Sequence, residues 1–202
     1  MKRMRGLAVA AGLAMACANA MALKPGEMAP NFKGVDSQGK TETLVQYRGK
    51  YVVLEWTNRD CPYTKKHYES GNMEGLQKKW TGKGVVWLTV ISSAKGQDGY
   101  ATPAVENAYL QKMNAAPTAV ILDPSGTIGR LYDAKTTPDM FVIDPQGKLV
   151  YEGAIDDQPT PDPASLMGAM NYVSAALQES MAGQPVQTPV TRPYGCNVKY
   201  GN

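Results

Sequence analysis

The side chains best suited to do chemistry are the thiols of Cys17, Cys61 and Cys196. Cys61 follows Asn58-Arg59-Asp60 and precedes Pro62, a polar setting with a proline where a helix would start. A thiol at a helix N-terminus is favoured as the thiolate, because the free N–H groups of the first turn and the helix dipole both stabilise negative charge. Lys65 and Lys66, one turn in, add positive potential, and Asp60 acts against them. A structural cysteine normally sits within an apolar run, so Cys61 reads as a reactive nucleophile. His67 is the only histidine. Six residues beyond Cys61 on the same helix, it is expected to point away from the thiol as a solvated surface residue. No set of ligands gathers near Cys61, so neither a metal nor any other cofactor is expected.

The first 22 residues read as an address. Lys2, Arg3 and Arg5 form a positive start, residues 6–16 an apolar stretch, and Ala18-Asn19-Ala20 or Ala20-Met21-Ala22 a small-residue cleavage site, the pattern of a secretory signal. The apolar run is short for a bilayer span of roughly 20 residues, so no stable membrane insertion is expected. Export, to a bacterial periplasm, removes Cys17 and leaves two thiols in an oxidising compartment, which invites a disulfide. As a plain staple over so long a loop it would stabilise the fold by about 4–5 kcal/mol in the chain-entropy treatment. The three basic residues of the leader account for the formal net charge of +3, so the mature chain is neutral. A basic surface that grips phosphates is therefore not expected, and nucleic acid is excluded as a partner. The remaining length suits one domain, residues 23–182, followed by a tail, residues 183–202.

An α/β pattern surrounds Cys61. A polar hairpin turns at Asp36-Ser-Gln-Gly39, and Tyr51-Val-Val-Leu-Glu-Trp56 is a strand that runs almost directly into Cys61 and a helical stretch through Trp80. Val85 to Ile91 is a near-continuous apolar run, as in a strand buried on both faces, so strand, helix and strand form a right-handed crossover. Thr102 caps a helix with Pro103 at its first position, running to about Asn114. Then come a strand at Thr118–Leu122, a short helix from Ser125, the Thr136-Thr137-Pro138 segment, and a hairpin of Met140–Asp144 with Lys148–Glu152. Pro159, Pro161 and Pro163 form a stiff connector, and residues 164–182 a closing helix. The proline-spaced residues after it read as an extended tail.

This order, with Glu55-Trp-Thr-Asn-Arg-Asp-Cys61-Pro-Tyr-Thr64 and Thr137-Pro138-Asp-Met-Phe-Val-Ile-Asp144, resembles the thioredoxin superfamily, and within it the peroxiredoxin-like or redoxin (AhpC/TSA-related) branch. The resemblance covers nearly all of residues 24–157. It implies a thioredoxin fold: a central mixed sheet flanked by helices, here with an N-terminal hairpin extension and a C-terminal extended tail. Cys61 takes the first position of the family's CxxC and Thr64 replaces the second cysteine. Glu55 falls where thioredoxins keep a buried acid that handles protons, provided it occupies the inner strand face. Thr137-Pro138 matches the cis-proline segment, which with Pro62 would contact substrate.

Thr64 cannot close a local disulfide, so another thiol must resolve the intermediate, and Cys196 is the candidate. The segment Thr191-Arg-Pro-Tyr-Gly-Cys196-Asn-Val-Lys-Tyr200 is rich in aromatic and turn-forming residues. It is expected to dock over the active-site face, with Cys61 and Cys196 exchanging through mixed disulfides. Peroxiredoxin-type peroxidases resemble this chain but use Pro-x-x-x-Thr-x-x-Cys; here Thr57 lies four residues before Cys61 and no proline has the required spacing. The expected function is thus an exported, thiol-dependent oxidoreductase acting on protein or small-molecule thiols and disulfides, with peroxide as a further candidate substrate. A non-catalytic binding module with a structural 61–196 bridge, and a peroxidase, stand as alternatives.

Overall fold

The computed structural model describes residues 23–201, so the signal sequence read from residues 1–22 lies outside the described residues. A seven-stranded mixed sheet in the order β2-β1-β5-β4-β3-β7-β8 forms the centre. Its strands are β1 (Lys33–Asp36), β2 (Thr41–Thr43), β3 (Val52–Trp56), β4 (Val86–Ile91), β5 (Ala119–Leu122), β7 (Asp139–Ile143) and β8 (Leu149–Gly153). The strands β3, β4 and β5 run parallel, and β7 returns antiparallel against β3. The predicted hairpin β1–β2 joins the sheet edge through β5.

Side-chain alternation along β3 divides the core. Val52, Leu54 and Trp56 enter one cluster with Ile121, Tyr132 and Phe141. Val53 points to the other face, where Trp80, Trp87, Met140 and Leu177 pack. Every residue of β3 and β4 is buried, the reason both read as continuous apolar runs. Each fully buried large side chain contributes about 1.5–3 kcal/mol by transfer from water.

The helical stretch after Cys61 is two helices, α1 (Pro62–Glu69) and α2 (Asn72–Thr81), where the sequence suggested one. Gly71, at φ +75°, supplies the left-handed residue that turns the chain between them. The helix α3 (Pro103–Met113) begins as expected, with the Thr102 side chain accepting from the Val105 N–H. A short α4 (Thr127–Leu131) precedes β6 (Thr136–Thr137). The closing helix is also shorter than its composition suggests: α5 spans Tyr172–Met181, capped by Asn171, and a single 3-10 turn at Pro163–Leu166 precedes it. Gly168, at φ +79°, interrupts the stretch.

The tail is extended, as read from its prolines, and it is also docked. Its Cys196–Asn197 segment forms β9, paired antiparallel with β6 in a separate small sheet. No helix among the described residues is long and apolar enough to cross a membrane.

Candidate active site

Cys61 is the N-cap residue of α1, with extended backbone, and Pro62 occupies the first helical position. The turn that delivers it is held from a distance. Asn58 accepts from the Asp60 N–H through its side chain (2.8 Å) and from the Cys61 N–H through its carbonyl (3.0 Å). Asp60 in turn accepts from the Gly99 N–H (2.9 Å), and Arg59 donates to the Tyr100 carbonyl (2.8 Å). The polar excursion after β4 therefore acts as a brace for the cysteine turn. Gly99, at φ +80°, approaches the Asn58 side chain too closely for any Cβ.

The Thr137–Pro138 bond is cis, as the resemblance implied. Thr137 is buried, and its carbonyl oxygen lies 3.1 Å from the Cys61 sulfur. Cys61 and Cys196 form a disulfide, with Cα atoms 5.9 Å apart. Cys196 pairs with Thr137, and Gly195 makes the approach: at φ +141°, a Cβ there would fall 2.1 Å from the Thr137 carbonyl oxygen. The tail thus lies along the backbone edge of the cis-proline loop, the sulfur of one chain segment meeting that of the other.

No side chain caps α1. The first-turn N–H groups therefore have no side-chain acceptor, and the positive end of the helix lies at the Cys61 position, which suits a thiolate. Thr64, at the third helical position, is fully buried and its hydroxyl has no hydrogen-bond partner among the described residues. Pro62, by contrast, is exposed.

Glu55 occupies the inner face of β3 and is wholly buried. Its carboxyl accepts from Trp87 Nε1 (2.7 Å), Tyr68 Oη (2.8 Å), Gln77 Nε2 (3.2 Å) and Thr89 Oγ1 (3.2 Å). Burial raises its pKa, opposed by these donors. Nearby Glu106 is pushed up to about 7 by burial, with Arg59 pulling the other way.

His67 corrects the surface expectation. It is fully buried, in a polar cluster that also holds Lys66, Asp156 and Tyr194. Lys66 donates to the Gln158 carbonyl (2.8 Å) and to Tyr194 Oη (3.2 Å), lies 3.8 Å from Asp156, and sits over the Tyr194 ring. The Tyr194 hydroxyl donates to Asp156. Burial, reinforced by the neighbouring Lys66 charge, lowers the His67 pKa to about 3, so the imidazole is neutral. Burial also lowers the Lys66 pKa, against the pull of Asp156. The covering segments come from residues 154–158 and from the tail, far away in sequence, which is why helix geometry alone placed His67 in solvent.

Sequence reasoning also passed over Asp139, next to the cis proline. Its carboxylate accepts from the Lys135 N–H (2.9 Å) and ties down the loop that carries Thr137. Burial pushes its pKa up to about 7. Asp139 lies inside the cis-proline segment without an assigned role there, Asp156 stands in no motif, and only the aromatic character of the tail hinted at Tyr194. Cys61, Cys196, Thr137 and Pro138 come together as expected, while Glu55 bonds within its own buried network beneath them. No group of acidic, histidine or cysteine side chains among the described residues is arranged to hold a metal ion.

Known proteins resemble this chain in sequence and in fold. The thiol-disulfide oxidoreductase ResA of Bacillus thuringiensis subsp. konkukian (strain 97-27) is 32% identical over 127 residues, 63% of this chain and 68% of that protein. Two solved structures superpose with a TM-score of 0.76, a hypothetical protein from Sinorhizobium meliloti 1021 and an uncharacterized conserved protein from Geobacillus kaustophilus. They are 22% and 23% identical, each alignment covering 89% of this chain and 96% and 93% of theirs, and they share the fold. Residues 25–152 match the AhpC/TSA family, to which this chain belongs.

Proposed function

We propose that the protein is a thiol-disulfide oxidoreductase whose working couple is Cys61 and Cys196. The observation that carries this reading is the disulfide itself: it joins the N-cap sulfur of α1 to a tail cysteine seated against the cis-proline loop. Oxidised, the couple takes two electrons and two protons from a pair of partner thiols, which leave as a disulfide; reduced, it runs the reverse reaction. Cys61 serves as the nucleophile and leaving thiolate, Thr64 as a donor one helical turn in, and Thr137 and Pro138 as the wall against which the sulfur that meets Cys61 is oriented. Pro62 lies at the exposed rim. Glu55 would handle the proton from the sheet side. Protein thiols and disulfides are the substrate class this reading favours, in keeping with the name of the ResA relative.

The reading includes export. The signal-like residues 1–22 and a disulfide that would be reduced in a cytosol both support a periplasmic site of action. Isolated from the periplasm, the chain should begin near residue 23 and carry the 61–196 bridge. It should catalyse thiol-disulfide exchange with a reduced or scrambled test protein, and Cys61→Ser or Cys196→Ser should abolish turnover. A bridged protein with no exchange activity, whose cysteine variants only melt earlier, would make the disulfide a staple and sink the proposal. Hydrogen peroxide in a parallel assay separates exchange from peroxidase activity.

A further inference from the structure

Either sulfur of the bridge could meet a partner, and the structure distinguishes them. Cys61 is 2% exposed, closed in by the Thr137 carbonyl on one side and by the tail on the other. Cys196 is partly exposed. The backbone edge of Thr136–Thr137, where a partner strand would have to lie to reach Cys61, is already taken by Cys196–Asn197.

The tail is fastened on both sides of that point. Upstream, the Thr191 hydroxyl accepts from the Ala154 N–H (2.9 Å) and Tyr194 is held by Lys66 and Asp156. Downstream, the Val198 N–H donates to the Lys135 carbonyl (3.0 Å) and the Val198 side chain is buried. Tyr200 donates to the Ala134 carbonyl (2.7 Å) beneath the Arg130 guanidinium, which itself donates to the Gly201 carbonyl (2.7 Å). None of these contacts runs through the disulfide, so each can go on holding the tail over Cys61 once the bridge is open.

We propose that Cys196 is the sulfur attacked by the partner, and that Cys61 acts only within the molecule, as leaving thiolate in one direction and as nucleophile toward Cys196 in the other. This rests on the thiol-disulfide reading above. The attacking thiolate must approach along the S–S axis from the far side of the sulfur it attacks. Cys196 is the partly exposed member of the pair and Cys61 the buried one, so the accessible target is Cys196. The partner thiolate bonds to Cys196, the S–S bond breaks, and its electron pair departs on Cys61. The uncapped N–H groups of α1 receive that charge. A second thiol of the partner then attacks the partner's own sulfur, forming the partner disulfide and releasing Cys196 as a thiolate that takes a proton from water. In reverse, the Cys196 thiolate attacks one sulfur of a partner disulfide, whose S–S bond breaks with release of the other sulfur as a thiolate, and the Cys61 thiolate then attacks Cys196, re-forming the bridge and displacing the second partner thiolate.

Acid quenching of the oxidised full-length mature protein in excess reduced glutathione, followed by alkylation and mass mapping, tests the assignment. Glutathione on Cys196 with Cys61 alkylated is the expected result, and glutathione on Cys61 overturns it. In the reduced single-cysteine proteins, Cys196 of Cys61→Ser should react with oxidised glutathione about tenfold faster than Cys61 of Cys196→Ser, because access governs the rate. The opposite order also overturns the proposal. A bridge that excess glutathione never opens in the folded protein overturns the exchange reading, and this assignment with it.

Discussion

Thr64 stands where the family's second cysteine would be, and its hydroxyl is fully buried with no hydrogen-bond partner among the described residues. With Cys61 at the N-cap and Thr64 at the third helical position, their side chains have the spacing at which cap and third residue face each other. The Thr64 hydroxyl is buried and unpartnered while Cys61 is in its disulfide, a state that costs about 1–3 kcal/mol. We infer that a thiolate on Cys61 would supply the missing acceptor. The orphaned hydroxyl therefore favours the reduced form. Thr64→Val removes both the cost in the oxidised state and the hydrogen bond in the reduced one. Its reduction potential, read by equilibration with a glutathione buffer, should fall by about 30 mV for each 1.4 kcal/mol lost, and Thr64→Ser should stay near the parent. An unchanged potential in Thr64→Val would leave the hydroxyl without a part in the chemistry. At this scale the sequence was informative: the polar lead into Cys61 and the proline after it are local signals of a helix start, and the structure has one there.

The elements were legible where neighbours in sequence decide them, and less so where distant segments do. Strands β3 and β4 and the Thr102 cap follow from runs and caps a few residues long. The break at Gly71 was missed because a lone glycine in a helical pattern signals a kink only when tertiary packing demands one. His67 was misplaced because the face of α1 that should meet water is covered by Asp156 and Tyr194, about 90 and 130 residues away. The docking of the tail was legible as an expectation from Cys196 and from the aromatic and turn-forming residues around it. Its geometry depends on Gly195, whose positive φ and contact with Thr137 admit no side chain. Gly195→Ala should shift the tail off β6 and disfavour bridge formation about tenfold, on the scale of 1–3 kcal/mol for such backbone strain. Counting free thiols in glutathione redox buffers measures this, and a parent-like bridge population would show that the strand pairing is dispensable.

For the whole molecule, the buried ionisable groups set an unusual dependence of stability on pH. Glu106 and Asp139 have pKa values raised to about 7, above their ordinary values of 4.5 and 3.8. The folded state therefore binds more protons than the unfolded chain across that range, and their contribution, complete at low pH, is lost as pH rises through about 7. His67 works in the opposite sense. Its pKa is lowered from 6.5 to about 3, so the unfolded chain binds the extra proton and stability declines as pH falls through that window. Between pH 4.5 and 6.5 the raised carboxyls, Glu106 and Asp139 together with Glu55, Glu74 and Glu152, outnumber the one lowered imidazole, so the balance favours the more acidic condition. Chemical denaturation of the oxidised protein should therefore give a higher unfolding free energy at pH 5 than at pH 7.5, the reverse of a protein held together by surface carboxylate pairs. Glu106→Gln should flatten the difference, because its amide carries no proton to lose. His67→Gln should steepen it by removing the opposing group. A parent protein more stable at pH 7.5 than at pH 5 would show that the buried carboxyls already ionise in the fold near their ordinary values, and that the polar interior around α1 and the cis-proline loop is better solvated than its burial implies.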